Sequence, residues 1–547
     1  MSGTLNAVRR AKNRQKTRAM DAMVVGAGIG GLYQLHQLRE LGLNVRAYDT
    51  ASDVGGTWYW NRYPGAKLDS EAYAYQYLFS EELYKGWSWT ARYATQPEVE
   101  RWLHYVADKL ALRRDIQLST RITQAIYDED RKRWSVYTDD GEIVDAQFLI
   151  TCCGMLSAPM SNLFAGQESF EGQIFHTSHW PAEPIELAGM RVGVVGIGAS
   201  GIGVMQAIAE TVGKLKVFVR NPQYVLPMVN YEYGQKEVEA YKSRFVELRN
   251  TMPYTFSGFD YDYEYTWAEL SDEQRRHVLE ECYNSGSLRL WLASFSDMLT
   301  DKDANDAISE FVREKMRGCL KDPKLWDALI PKHYGFGTVR VPLESNILDI
   351  YQRHNVEVVS VKENPIVNVV PEGIVLADGT VYELDVVILA TGFDAGSGAL
   401  TRIDIQGRGG RKLQDEWSRE IRTMMGLQVH GYPNMFTVGA PLAPSAAFCN
   451  VPTCLQQQTE WITRCIRFMQ RENYAVVEPS KQAQDGWVKQ HDEATSTSML
   501  SRTDSWYTGS NVPGKPRRVI AYTGGVGTYR KLCDEIAEKR YEGFEMR

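Results

Sequence analysis

Two apolar segments that each run straight into a spaced set of glycines constrain this chain more than anything else in it. Met23 to Val25 reads as a buried parallel strand, and Gly26, Gly28 and Gly31 carry the chain from it into a helix. Glycines at this spacing let backbone amides approach a pyrophosphate at a helix N-terminus, where the helix dipole favours negative charge. The next strand, Asn44 to Tyr48, ends at Asp49, a carboxylate placed to accept hydrogen bonds from ribose hydroxyls. Loop and acid together point to FAD or NAD. The pattern returns in Arg191 to Val195, a strand followed by Gly196, Gly198, Ser200 and Gly201 and a helix over Ile202 to Thr211. This time the following strand, Leu215 to Val219, ends in Arg220. A guanidinium grips a 2'-phosphate through two parallel hydrogen bonds, so the second nucleotide is expected to be NADPH. A chain that holds two dinucleotides can pass electrons from one to the other.

Length and order of elements predict an α/β fold of two Rossmann-like dinucleotide-binding domains, one for FAD and one for NADP, with a helical insertion. The 547 residues suffice for roughly three or four domains, and 44% hydrophobic content fills ordinary cores. Residues 21–156 and 388–547 are expected to form a discontinuous FAD-binding domain, because YPNMFTVGAP, Tyr432 to Pro441, reads as the strand and turn that close it. Residues 157–230 and 332–387 are expected to form the NADP-binding domain. The tyrosine-rich, helix-patterned stretch 231–331 reads as the insertion. Residues 1–20 carry Arg9, Arg10, Lys12, Arg14, Lys16 and Arg18 and are expected to be a basic arm, with a mitochondrial transit peptide as the competing reading.

Composition narrows the partners. A net charge of -8 argues against nucleic acid. No apolar run reaches the roughly 18 residues that a membrane span requires. No signal-peptide core follows the start. Eight cysteines without a framework predict reduced thiols and a cytoplasmic setting, and no metal is expected. Oligomeric state is not readable.

Four motifs then carry a resemblance. FEGQIFHTSHWP, Phe170 to Pro181, GTWYWNRYPGAKLD, Gly56 to Asp69, ATGFD, Ala390 to Asp394, and SWYTGSNVPGKPR, Ser505 to Arg517, are together similar to the motifs of the Baeyer-Villiger monooxygenases. The resemblance covers nearly the whole chain. It implies FAD and NADPH as cofactors, O2 and a small-molecule ketone as substrates, and an ester or lactone as product, formed through a flavin-borne peroxide anion. Arg340, in HYGFGTVRVPLESN, stands where the family places the arginine that stabilises this anion, and Asp69 matches the acid that orients it. Gly56, Thr57 and Trp58 fall in a cofactor-binding motif, and Trp506 matches a tryptophan that contacts NADP. His176 is expected to fix an interdomain linker through hydrogen bonds, with Phe170 and Trp180 packing its hinge, and to take no part in acid-base chemistry. Three positions depart from the pattern: Val339 stands where lysine is common, and Asn221 and Gln223 replace the usual Thr and His, so NADPH preference rests mainly on Arg220. Leu68, Met155 and residues 445–450 flank the expected substrate pocket. Three rivals fit less of the chain: a flavin-containing monooxygenase oxidising amines or sulfides, a disulfide reductase using the C-x4-C pair Cys449 and Cys454, and an NADPH-binding redox sensor.

Overall fold

The computed structural model describes residues 17–161 and 163–547. Its first sheet has eight strands, in the order Asp404–Gln406, Ile122–Asp128, Arg133–Thr138, Ile143–Thr151, Thr17–Val25, Val45–Tyr48 and Ile116–Gln117, with Met435–Thr437 also pairing Ile143–Thr151. Met23 to Val25 runs parallel between Arg46 to Tyr48 and Leu149 to Thr151, so both its neighbours point the same way at the glycine loop. The helix Ile29–Glu40 leaves that loop and packs on the long helix Val451–Glu472, where Tyr33 Oη donates to Glu460 at 3.1 Å and Gln34 Nε2 to Thr463 at 3.2 Å. A helix far along the chain thereby braces the first loop.

The second sheet is parallel throughout, in the order Val356–Ser360, Lys214–Val219, Arg191–Val195, Val386–Leu389 and Gln173–His176. Its glycine loop feeds the helix Ala199–Ile208, which starts three residues earlier than Ile202 because Gly198 already serves as the helix cap. A three-stranded antiparallel meander, Ile366–Val370, Gly373–Leu376 and Val381–Glu383, covers one side, with Phe218, Leu384 and Val387 buried beneath it. Between the two halves of this unit the chain forms mainly helices, the longest being Lys302–Cys319. No helix among the described residues is long and apolar enough to cross a membrane. No His, Cys, Asp or Glu cluster suited to a metal occurs among them either.

Four expectations need correction. Thr17 to Met20 belong to the first strand and not to a basic arm, and Arg18 pairs with Glu142 at 3.1 Å; the rest of the arm lies outside the described residues. Parallel pairing with Arg191–Val195 keeps Val386–Leu389 whole in the second sheet, so the chain leaves that sheet after Leu389 and not at residue 388. Gln173–His176 is an edge strand of the same sheet, paired with Val386–Leu389, so the segment around His176 is partly regular structure. The cysteines are not all reduced thiols: Cys449 and Cys454 are joined by a disulfide, while Cys152, Cys153, Cys282, Cys319, Cys465 and Cys533 are free.

His176 sits where the two units meet. Its Nδ1 accepts from the Ser178 amide at 3.1 Å, and its Nε2 lies 3.2 Å from Thr391 Oγ1, whose own hydroxyl donates to the Met160 carbonyl at 2.7 Å. Thr391 belongs to ATGFD, so one imidazole joins two of the sequence motifs. Burial, and then the neighbouring His179, push the imidazole down to about 4. A neutral His176 in the fold takes up a proton near pH 6.5 once unfolded, so its contribution to stability is present at neutral pH and is lost as pH falls from about 6.5 toward 4. Denaturant unfolding at pH 7 and pH 5 is expected to show a smaller acid loss for His176→Asn than for the parent chain. Equal losses in both would show that His176 is not the buried neutral group described.

Candidate active site

One cavity of about 1440 Å³ is lined from both glycine loops. Gly26, Gly28, Asp49, Gly56, Thr57, Trp58 and Asp69 line it from the first half, and Gly198, Ser200, Arg220, Arg340 and Trp506 from the rest. Leu68, Met155 and Val339 also face it, as do Asn221 and Gln223. Of the glycines singled out by sequence, Gly31, Gly196 and Gly201 are not in the lining and serve a different purpose. A side chain on Gly31 would strike the Gly26 carbonyl and one on Gly201 the Gly196 carbonyl, so these positions let each helix close on its own strand.

The space beside the first loop has a specific cause. Gly56 holds φ +55, and a Cβ there would lie 2.8 Å from the Gly28 Cα. Two glycine backbones therefore approach face to face, and any side chain would fill the cradle between them. The helix caps Gly28 and Gly198 receive no side-chain hydrogen bond, so both helix N-termini keep their amides for a ligand. Asp49 accepts from the Ala27 amide at 2.6 Å and the Ala51 amide at 2.8 Å. Burial pushes its carboxyl up, and the amides of Ala51 and Ala27 pull it back. Arg220, in contrast, stands exposed at the rim with no ion-pair partner among the described residues. Cradle, open amides, acid and free guanidinium fit a pyrophosphate-containing cofactor in each half.

Arg340 and Asp69 form an ion pair through Nη2 and Oδ2. The other guanidinium nitrogen, Nη1, donates to the Ala446 carbonyl at 2.7 Å, and the guanidinium carbon lies 5.2 Å from the centre of the Trp291 ring. Burial works against the charge of Arg340, but Asp69 and then Tyr507 outweigh it, so the guanidinium is held above its ordinary value. It stays charged at neutral pH. Its planar fork is therefore fixed on two acceptors and an aromatic face, with the remaining N–H groups available to the cavity.

Sequence reasoning missed several members of this site. The Gln223 side-chain amide donates to the Arg340 backbone carbonyl, a contact that gives one departure from the family pattern a structural role. Trp291 comes from the helical insertion and Ala446 contributes only a main-chain oxygen, which no side-chain pattern could reveal. Trp58 Nε1 donates to Tyr75 Oη at 3.0 Å, fixing the indole beside the cradle. The C-terminal loop is tied to ATGFD: Asn511 Nδ2 donates to the Phe393 carbonyl at 2.8 Å, and Lys515 Nζ donates to Asp394 at 2.5 Å and to the Ala395 carbonyl at 2.6 Å. Trp506 reaches the cavity from this same loop.

Residues 19–265 match the model of the flavin-binding monooxygenase-like family. Over 530 residues the chain is 62% identical to the acetone monooxygenase (methyl acetate-forming) of Gordonia sp. (strain TY-5), covering 97% of this chain and 99% of that one. It superposes with a TM-score of 0.93 on the crystal structure of cyclohexanone monooxygenase from Rhodococcus sp. Phi1 bound to NADP+, at 37% identity and over 97% of this chain and 100% of that one. The OTEMO complex with FAD and NADP agrees equally well, with a TM-score of 0.93, 37% identity and coverage of 97% and 100%. Full-length similarity to ketone-oxidising relatives, together with a cavity that joins two dinucleotide loops around a charged arginine, places the chain in the Baeyer-Villiger monooxygenases, FAD- and NADP-binding enzymes that insert one oxygen atom from O2 beside a ketone carbonyl.

Proposed function

We propose that Arg340 and Asp69 are the catalytic pair of this oxygen insertion and that the ketone is small and acyclic. The observation that carries the first part is the Arg340–Asp69 ion pair standing inside a cavity that both glycine loops line. The second part is supported by the methyl acetate-forming relative, far more similar at 62% identity than the cyclohexanone enzyme at 37%. The apolar wall agrees with it: Phe448, which lines the cavity, packs between Trp291 and Tyr507, with ring centres 5.7 Å and 5.1 Å away.

Gly26, Gly28 and Asp49, with Gly56, Thr57 and Trp58, would hold FAD; Gly198, Ser200 and Arg220, with Trp506, would hold NADPH. Bound there, the cofactors supply the hydride and the oxygen-activating centre. The chain's own residues supply the electrostatics. Arg340 cannot give up its proton, so it stabilises negative charge building on oxygen without quenching it. Asp69 and the Ala446 carbonyl anchor two edges of the guanidinium, so the remaining N–H groups are already aimed when charge develops. Leu68, Phe259, Leu288 and Leu292 line the cavity with hydrocarbon, which keeps water from competing for that charge.

Arg220→Ala is expected to raise the Michaelis constant for NADPH by about 10- to 100-fold, the range for losing hydrogen bonds to a charged group, and to leave that for NADH nearly unchanged. Steady-state kinetics with both coenzymes decides this, and equal rises would remove Arg220 from the 2'-phosphate site.

Arg340→Ala should cut ester formation by about 100- to 1000-fold while some NADPH oxidation continues and releases hydrogen peroxide. Arg340→Lys should recover little, because an ammonium lacks the planar fork. Ester quantified by mass against NADPH consumed tests both variants. Near-parental ester yield from Arg340→Ala would show that another group stabilises the charge on oxygen.

A further inference from the structure

The disulfide between Cys449 and Cys454 is not used by the oxygen-insertion chemistry, yet both residues line the same cavity. Their placement is specific. Asn450 caps the helix Val451–Glu472, so Cys449 precedes the cap and Cys454 occupies the fourth helical position. These are the two positions that a hydrophobic staple joins to fix the angle at which a chain enters a helix. Here a covalent bond takes the place of the apolar contact, across a Cα–Cα distance of 6.7 Å. The cap between them is itself anchored, since the Asn450 amide donates to the Ser257 carbonyl at 2.8 Å and its side chain to the Ala74 carbonyl at 2.7 Å. The ends of the short loop are thereby held with the two sulfurs together.

Access to them is from the cavity. Cys449 is 8% exposed and Cys454 1%, with Val526 and Leu455 packed over them. A small neutral oxidant inside the cavity reaches this pair, and a bulky one in solution does not. Uncoupled reduction of O2 in such a cavity releases hydrogen peroxide beside it.

We propose that Cys449 and Cys454 are a peroxide-oxidised dithiol site in the wall of the ketone pocket. Cys449, the more exposed residue of the two, attacks one peroxide oxygen; the O–O bond breaks, water leaves, and a sulfenic acid remains on Cys449. Cys454 then attacks that sulfur, forming the disulfide and releasing a second water. Two electrons pass from the thiols to one peroxide, and an external dithiol restores the reduced pair by exchange. Of the other thiols, Cys152 and Cys153 also line the cavity, but burial pushes both up, Cys153 to about 12, and neither is joined to a second sulfur. The site also bears on the pocket. Ala446, the acceptor for Arg340, and Phe448 lie on the same short segment as Cys449, so closing the bond fixes the wall against which the ketone rests.

The test uses reduced holoenzyme freed of reductant and divided into three portions: one given hydrogen peroxide, one given NADPH and air without ketone, and one given NADPH, air and saturating acetone. Each is quenched with N-ethylmaleimide, digested and mapped by mass. In the first two portions the peptide holding both cysteines should be two hydrogens lighter and unalkylated, and a dithiol should reverse this. In the third it should carry two maleimides, because oxygen goes into product. Cys454→Ser should stop at a sulfenic acid on Cys449 that dimedone traps. Two maleimides on this peptide after added peroxide, or oxidation falling on Cys152 or Cys319 in its place, overturns the proposal. The ketone-free portion rests on the proposed oxygen chemistry, whereas the added-peroxide portion does not. Closure with added peroxide alone therefore supports the dithiol site and counts only against peroxide release by uncoupled turnover as its oxidant.

Discussion

A guanidinium inside an apolar cavity has to be paired, and the demands of pairing Arg340 organise much of this molecule. An unpaired charge there would cost several kcal/mol, so the fold brings three distant segments to it. Asp69 arrives from the end of the first tryptophan-rich motif, the Ala446 carbonyl from the turn before the long helix, and Trp291 from the helical insertion. Gln223 fixes the backbone on the far side, from the strand end that also carries Arg220. The arginine is thus a meeting point for both nucleotide-binding halves and the insertion. A change in the relative position of these parts is felt at its fork.

The elements legible in the sequence are those whose local chemistry leaves few choices. A strand followed by three spaced glycines and a helix admits one geometry, and both loops, with Asp49 and Arg220 at the ends of the neighbouring strands, lie as that geometry requires. Arg340 and Asp69 became visible only through resemblance, because an arginine in a loop carries no local signal. Contacts made through main-chain atoms, such as Ala446, or by single side chains distant in sequence, such as Trp291, have no pattern at all. Thr17 to Met20 were obscured by charge: Arg18 alternates with less polar neighbours along an edge-to-centre strand, and the basic run before it made the segment look solvated. The edge strand Gln173–His176 is only four residues long, the shortest run over which period-two alternation can be read.

The sequence motifs become intelligible as joints. His176 of the first joins Thr391 of ATGFD, and Asn511 and Lys515 of the C-terminal loop join Phe393 and Asp394 of the same segment. Ala390 to Asp394 directly follows Val386–Leu389, an inner strand of the second sheet, and leads back toward the first, so it is one of the crossings between the two units. The motifs that look catalytic by His176 and Asp394 are in this structure attachments to a crossing segment.

The two nucleotide sites differ in a way that follows from the same architecture. Asp49 is partly buried, and its oxygens already accept from two backbone amides, so the carboxylate is held rigid before any ribose arrives. The Gly28–Gly56 approach walls the first site from the side, and the long helix braces it from behind. Arg220 has no such framing: it is exposed, with rotamers to lose when a phosphate binds. A preorganised, walled cradle suits a cofactor that stays, and an open rim closed by a single flexible cation suits one that exchanges at every turnover. FAD in the first site would then be the resident centre and NADP in the second the reductant that exchanges, and Trp506, carried on a loop latched to the crossing segment, also lines the cavity.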